Sequence, residues 1–177
     1  MCILLQDLRV RQSGRQEALA VKYFPLLALQ ALLFGCLAFP ATAQQELLSD
    51  PEIYEKKYFA GRCNIPQYDA DFIRRIDINN DGIVDAIVNQ GDVVCDGERG
   101  PDCTEEGCPY NFYLQVKEGG YFMIATAHMY AYDFIQRFGN MVFVMQMHPK
   151  YCERTDSKPC EMTVRVRGTK FLTISKK

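Results

Sequence analysis

The stretch from Ile76 to Val88, IDINNDGIVDAIV, places five oxygen-bearing side chains and one glycine in a short window. Carboxylate and amide groups alternate along it, and Gly82 stands where the chain must turn sharply. A hard cation such as calcium binds about six to eight oxygen atoms, and three carboxylates this close repel one another without a cation. The spacing predicts a calcium site formed by the side chains of Asp77, Asn79, Asp81 and Asp85 and the carbonyl of Ile83.

The same loop has an alternative interpretation as an Asx-rich turn. In that case its side chains accept hydrogen bonds from nearby backbone N–H groups and bind no ion. An EF-hand is excluded, because its twelfth loop position needs a bidentate acid and this chain has Val88 there. The flanking segments 71–78 and 85–90 also have the composition of strands rather than helices.

The pattern D-x-N-x-D-G-x-x-D resembles the calcium loop of FG-GAP (VCBS-type) β-propeller repeats, and the similarity extends over residues 71–127. The resemblance implies a structural calcium ion held by the five residues named above. A propeller needs at least about four blades, which one such loop cannot supply. The chain is more similar to single-domain exported bacterial proteins that combine one loop of this kind with a cysteine cluster, so the resemblance implies a fold and a compartment rather than an activity.

The amino-terminal segment has the features of a secretory signal peptide. An uncharged apolar run, Tyr23–Phe39, follows several basic residues and precedes the small residues Ala41-Thr42-Ala43, so residues 1–43 form the predicted leader. Translation from Val21 would give a more compact leader. An uncleaved anchor and lipidation at Cys36 are the alternatives. Residues 44–177 are then the mature domain, which we expect in the periplasm or outside the cell.

Six of the eight cysteines lie in the mature domain, and an even number in an exported chain predicts three disulfides. The short separation of Cys152 and Cys160 favours a local bridge. We expect Cys95 to pair with Cys108 or Cys103, and Cys63 to take the remaining partner. Zinc bound by Cys103 and Cys108 is the alternative.

A second metal interpretation involves soft ligands near two predicted strands. Methionine and histidine side chains can bind copper, and the candidate ligands are His128, Met129, Met145, Met147 and His148. The alternative is a hydrophobic core, because Met145 and Met147 alternate on one strand face with Phe143. Neither a G-x-S-x-G nor an H-E-x-x-H motif is present. A small exported hydrolase using the loop acids is therefore only an alternative, and we expect no enzymatic activity.

The remaining sequence predicts a mainly β, antiparallel domain with one amino-terminal helix at about residues 50–60. Ser49 is the predicted N-cap and Gly61 the predicted left-handed end of this helix, with Ile53, Tyr54 and Tyr58 on its buried face. Three hairpins are predicted by alternating apolar residues around glycine turns, at 110–127, 129–148 and 161–175. The aromatic segments 110–113 and 129–134 are candidate binding surfaces.

The mature domain has 16 Lys and Arg residues against 20 Asp and Glu residues, and no long basic run, so nucleic acid is not an expected partner. The sequence thus predicts an exported, non-catalytic binding or structural module. Its partner would be a protein or an envelope component. Membrane contact is expected only through the leader.

Overall fold

A computed structural model describes residues 47–177, so the predicted leader, the Val21 start and Cys36 lie outside the described residues. Among residues 47–177, no helix is long and apolar enough to cross a membrane. The described chain is mainly β, with one amino-terminal helix and three antiparallel sheets, as the sequence predicts.

The helix, α1 (Pro51–Ala60), begins differently from the prediction. Its N-cap is Asp50 rather than Ser49, because the Asp50 carboxylate accepts hydrogen bonds from the N–H groups of the first turn. Its end at Gly61 has φ −80°, so this residue is not left-handed.

The predicted buried face of α1 is also wrong. The helix buries Glu55 and Phe59, while Ile53, Tyr54 and Tyr58 remain about half exposed or more. Hydrogen-bond donors on the facing segments explain which side chains of the helix are buried. Amide side chains of Gln90 and Asn111 donate hydrogen bonds to the Glu55 carboxylate, so this residue is buried and the three others lie outside.

Eleven strands follow the helix among the described residues. In chain order they are β1 (Pro66–Tyr68), β2 (Ile73–Ile76), β3 (Asp85–Asn89), β4 (Val93–Cys95), β5 (Glu98–Arg99), β6 (Cys108–Gln115), β7 (Tyr121–Met129), β8 (Ala131–Arg137), β9 (Asn140–Met147), β10 (Cys160–Arg167) and β11 (Lys170–Lys176). The β6–β7, β8–β9 and β10–β11 hairpins match the three predicted hairpins.

The strands form three sheets with the orders β1-β4-β5, β2-β3-β6-β7 and β11-β10-β9-β8. The small β1-β4-β5 sheet is absent from the sequence-based prediction, because its strands are only two or three residues long. Such segments are too short to show a period of two.

The β2-β3-β6-β7 sheet separates two hydrophobic cores. One core contains Phe112, Met129, Phe143 and Val164, from strands of both four-stranded sheets. The other contains Phe59 of α1 with Phe72, Val88, Val93 and Tyr113. Both faces of the sheet are therefore covered, which explains why β3 and β6 are buried almost continuously.

Three disulfides connect the elements. The predicted Cys152–Cys160 bridge is present. The prediction for Cys95 is wrong, since Cys95 bonds to Cys63 and Cys103 bonds to Cys108. Cys63 lies just after α1 and Cys95 ends β4, so folding brings these two cysteines together although 32 positions separate them.

Candidate functional site

The acidic loop lies between β2 and β3, which pair as antiparallel strands. Its side chains are bonded to the loop's own backbone. Asp77 accepts from the N–H groups of Asn80, Asp81 and Gly82 at 2.7, 3.2 and 2.9 Å. Asn79 Oδ1 accepts from the Asp81 N–H at 3.0 Å, and Asp81 Oδ1 accepts from the Ile83 N–H at 2.8 Å. This arrangement is a series of Asx turns.

Asp85, the fourth predicted ligand, is fully buried at the start of β3. Its Oδ2 accepts from the Ile78 N–H and its Oδ1 from the Gln115 N–H, both at 2.9 Å. The side chain therefore ties the loop to the end of β6.

The loop's donor set has the chemistry that calcium requires, namely carboxylate, amide and carbonyl oxygens. A carboxylate has about four lone-pair positions, so oxygens that accept N–H groups retain capacity for a cation. Among residues 47–177, however, no group of three or more His, Cys, Asp or Glu side chains is arranged to hold a metal ion. The described loop has the backbone-bonded arrangement, and calcium binding remains a prediction.

Burial raises the pKa of Asp85 to about 6, although its hydrogen bonds from Gln115 and Ile78 act in the opposite direction. The folded state therefore takes up a proton at a higher pH than the unfolded state does. The stability contributed by this protonation is complete below the unfolded pKa of 3.8 and is lost as the pH rises through about 6.

We expect the ¹³C resonance of the Asp85 carboxyl group to titrate with a midpoint near pH 6 in calcium-free buffer. A cation in the loop would favour the charged carboxylate and lower that midpoint. A midpoint at the ordinary aspartate value in the calcium-free protein would contradict the burial described here.

The predicted copper ligands do not form one cluster. Met129, Met145 and Met147 are buried in the core between the four-stranded sheets. His128 precedes Met129 on β7 and therefore points to the other face of that sheet. His148 Nδ1 accepts from the Lys150 N–H at 3.3 Å at the start of the 3-10 helix Pro149–Cys152. The copper site stays a prediction. The three methionines belong to the hydrophobic core, which is the alternative interpretation.

A pocket of about 350 Å³ lies between α1 and the β6–β7 hairpin. This volume falls within the range of small-molecule sites. Tyrosines, amides and carboxyl groups predominate in its lining, which consists of Tyr54, Glu55, Tyr58, Gln90, Asp102, Pro109, Asn111, Tyr113, Met123, Thr126 and His128.

Glu55 is at the centre of this pocket, and its carboxylate is held by three neutral donors. The Asn111 amide donates to Oε1 at 2.5 Å, the Tyr113 hydroxyl also donates to Oε1, and the Gln90 amide donates to Oε2 at 3.0 Å. Thr126 extends the network by donating to Asn111 Oδ1 at 2.6 Å. One of the carboxylate's roughly four acceptor positions, on Oε2, has no donor in this network.

The network also fixes the protonation of Tyr113. Burial, and next the hydrogen bond to Glu55, raise the pKa of this phenol above its ordinary value. Tyr113 therefore remains a hydrogen-bond donor at neutral pH.

The carboxylate of Glu55 has no ion-pair partner among the described residues, although His128 also lines the pocket. Within residues 47–177 it forms no ion pair, and no Lys or Arg lines the pocket. The second carboxylate there, Asp102, has its own partner, since Arg62 binds both of its oxygens at 2.7 and 2.8 Å. The pocket thus contains one uncompensated buried acid, surrounded by the rings of Tyr54, Tyr58 and Tyr113.

Sequence analysis missed this pocket entirely, because a glutamate in a short helix ordinarily faces solvent. One signal was available. Asn111 stands in an otherwise apolar and aromatic strand, YNFY, and a buried amide requires hydrogen-bonding partners. The segment 110–113 was predicted as a candidate binding surface, but Tyr110, Phe112 and Tyr113 are buried. Within this segment, Asn111 and Tyr113 line the pocket, where both donate to Glu55.

Comparison with known proteins gives no relative: no family, curated protein or solved structure matches this chain.

Proposed function

We propose that this chain is an exported, disulfide-stabilised, non-catalytic binding module that holds a ligand by a protonated amino group in the pocket beside α1. The observation that carries the proposal is the buried Glu55 carboxylate, which faces a pocket without Lys or Arg and has one acceptor position unfilled. A buried charge is stabilised by an opposite charge and by full hydrogen bonding. An ammonium group supplies both.

The aromatic surroundings support the same ligand class. A cation near tyrosine rings is attracted by their π electrons, and Tyr54 and Tyr58 stand half exposed at the pocket. Arg62 already stacks on Tyr58 at 4.9 Å from the ring centroid. Export is supported by the three disulfides, since such bonds persist in oxidising compartments.

The test is calorimetric titration of the oxidised protein with ethanolamine, cadaverine and a lysine-containing dipeptide. We expect at least one amine to bind, and Glu55→Gln to weaken it by about tenfold or more, because a charge-assisted hydrogen bond is lost. Glu52→Gln is the matched control, since Glu52 lies on the same helix outside the pocket and forms an i,i+4 ion pair with Lys56. Absence of saturable binding by all three amines, or equal binding by the Glu55→Gln variant, would contradict the proposal.

We also propose that the acidic loop binds calcium and stabilises the end of the β2-β3-β6-β7 sheet. Its oxygen donor set and its position between two paired strands support this role, and a site of this kind would bind weakly, with Kd on the order of 10⁻⁴–10⁻³ M.

We expect excess calcium to raise the Tm of the oxidised protein relative to chelator, by mass action on the folded state. Asp81→Ala should abolish the shift while lowering the calcium-free Tm only slightly, because the hydrogen bonds that Asp81 accepts from Ile83 and Asn79 are exposed to solvent. An unchanged Tm across millimolar calcium would mean that the loop is only a turn.

A further inference from the structure

Two hairpin turns of the β11-β10-β9-β8 sheet lie at the same end of that sheet. Arg137 pairs with Asn140 across the β8–β9 turn, and Arg167 pairs with Lys170 across the β10–β11 turn. The antiparallel pairing of β9 with β10 runs as far as Phe143 opposite Val164, and the same register extended by three residues would place Arg167 opposite Asn140. The two turns therefore bring basic residues of β8, β10 and β11 to one end of the sheet.

The β8–β9 turn consists of Phe138 and Gly139, with φ +49° and +75°. A two-residue hairpin turn with both φ values positive favours asparagine or glycine at its first position. Phenylalanine is a poor choice there, because its side chain strains the left-handed conformation. Phe138 is also fully exposed, so it gains no packing within the domain that would offset the strain. A locally unfavourable residue without a structural contact indicates a functional role.

Four basic side chains lie at the same end of the sheet as this phenylalanine, and two of them, Arg137 and Arg165, share a groove with it. Arg137, Arg165, Arg167 and Lys170 belong to positions that alternate to the outer face of the sheet. None of the four forms an ion pair with another described residue. Phe138, Arg137 and Arg165 line a groove of about 470 Å³ together with apolar residues, of which Leu172 and Ile174 are exposed.

The acids of the outer face lie toward its other end. Asp133 pairs with Val144 on β9, and Glu161 pairs with Gln146. Opposing charge at the basic end comes from the acidic loop, which reaches β9 where Asn80 Oδ1 accepts from the Met141 N–H at 2.9 Å. Asp77 and Asp81 thus reduce the attraction to an anionic surface, and four cations outnumber these two acids.

We propose that this end of the sheet docks on a bilayer surface containing anionic phospholipid. Phe138 enters the interface between headgroups and acyl chains, and the four basic side chains contact lipid phosphates. An exposed aromatic residue at the same end of the sheet as four cations without an ion pair matches that surface in both polarity and charge. The site is separate from the pocket beside α1, so either can exist without the other.

The sequence predicts membrane contact only through the leader. The basic residues are dispersed along the chain and do not form a continuous basic segment. They become neighbours only through the register of β8 to β11, which the sequence does not specify.

The test is co-sedimentation of the oxidised protein with vesicles of phosphatidylcholine alone and with added phosphatidylglycerol. We expect partition only into the anionic vesicles, and loss of binding as salt screens the charges. Each basic residue contributes about fivefold to such partition, so Arg137→Gln with Arg167→Gln should weaken it by about 25-fold. Phe138→Asn should weaken it by about tenfold through lost apolar burial, while Tm stays the same or rises because asparagine suits the turn.

The matched control is Lys57→Gln with Lys158→Gln, which removes the same charge from α1 and from the loop before β10. This variant should bind as the unmodified protein does. Equal partition into both vesicle types would overturn the proposal. It would also be overturned if the Phe138→Asn variant bound normally, or if both double variants lost binding equally, since that would indicate net charge alone.

Discussion

Replacing Glu55 by methionine is expected to lower the free energy of unfolding by about 5 kcal/mol, because three buried donors lose their acceptor at about 1–3 kcal/mol each. These donors are the amides of Gln90 and Asn111 and the hydroxyl of Tyr113. Methionine has a similar length, and its thioether is only a weak acceptor for these donors. Urea denaturation of the oxidised variant measures the change.

The matched variant is Glu55→Gln, for which we expect a loss of only about 1–2 kcal/mol. The glutamine carbonyl can accept from Asn111 and Tyr113, and a rotation of the Gln90 amide restores the third hydrogen bond. If methionine and glutamine destabilised the protein equally, the network would not be the reason that Glu55 is buried.

Removing the Cys63–Cys95 disulfide with a double alanine variant should destabilise the protein by about 4 kcal/mol. The reason is the length of the loop that the bond closes: the two cysteines are 32 positions apart. The Cys103–Cys108 bond closes a separation of 5 positions, and its removal should cost only about 2 kcal/mol by the same chain-entropy relation. Comparing the two variants by urea denaturation controls for the loss of any disulfide.

The Cys63–Cys95 bond also has a consequence for the pocket. It joins the segment after α1 to β4, and α1 carries Glu55. Loss of this bond should therefore weaken amine binding, whereas loss of the Cys103–Cys108 bond should affect it less. If instead the variant without Cys103–Cys108 were the less stable of the two, loop closure in the unfolded chain would not be the main contribution of these bonds to stability.

Much of the fold could be predicted from the sequence, because local patterns specify it. Alternating residues around Gly119, Gly139 and Gly168 predicted three hairpins that the structure contains. The short separation of Cys152 and Cys160 likewise predicted their bridge.

Most of the errors concern contacts between residues far apart in the chain. Glu55 is a residue type that ordinarily faces solvent in a helix. Its burial depends on Asn111 and Tyr113, more than fifty positions away. Pairing of Cys63 with Cys95 depends on where α1 ends relative to β4. Ser49 and Asp50 can both cap a helix, and only the observed backbone distinguishes them. Propensity and spacing alone contain none of this information.

The acidic loop shows the same limit at the candidate site. Its sequence has the ligand types of a calcium loop, and in the structure these side chains also accept hydrogen bonds from the loop's own backbone. Residue identity cannot distinguish a calcium loop from an Asx turn, since the same set of oxygens can bind an ion or accept backbone N–H groups.

The most direct test of the account is NMR mapping of amine binding to the oxidised protein, with the Glu55 carboxyl group observed by ¹³C and the Asn111 and Gln90 side-chain amides by ¹⁵N. We predict saturable shifts of these three groups and of Tyr113, with little change at the acidic loop or at Phe138. Shifts that leave Glu55 and its three donors unmoved while other surfaces respond would contradict the assignment of this pocket as the binding site.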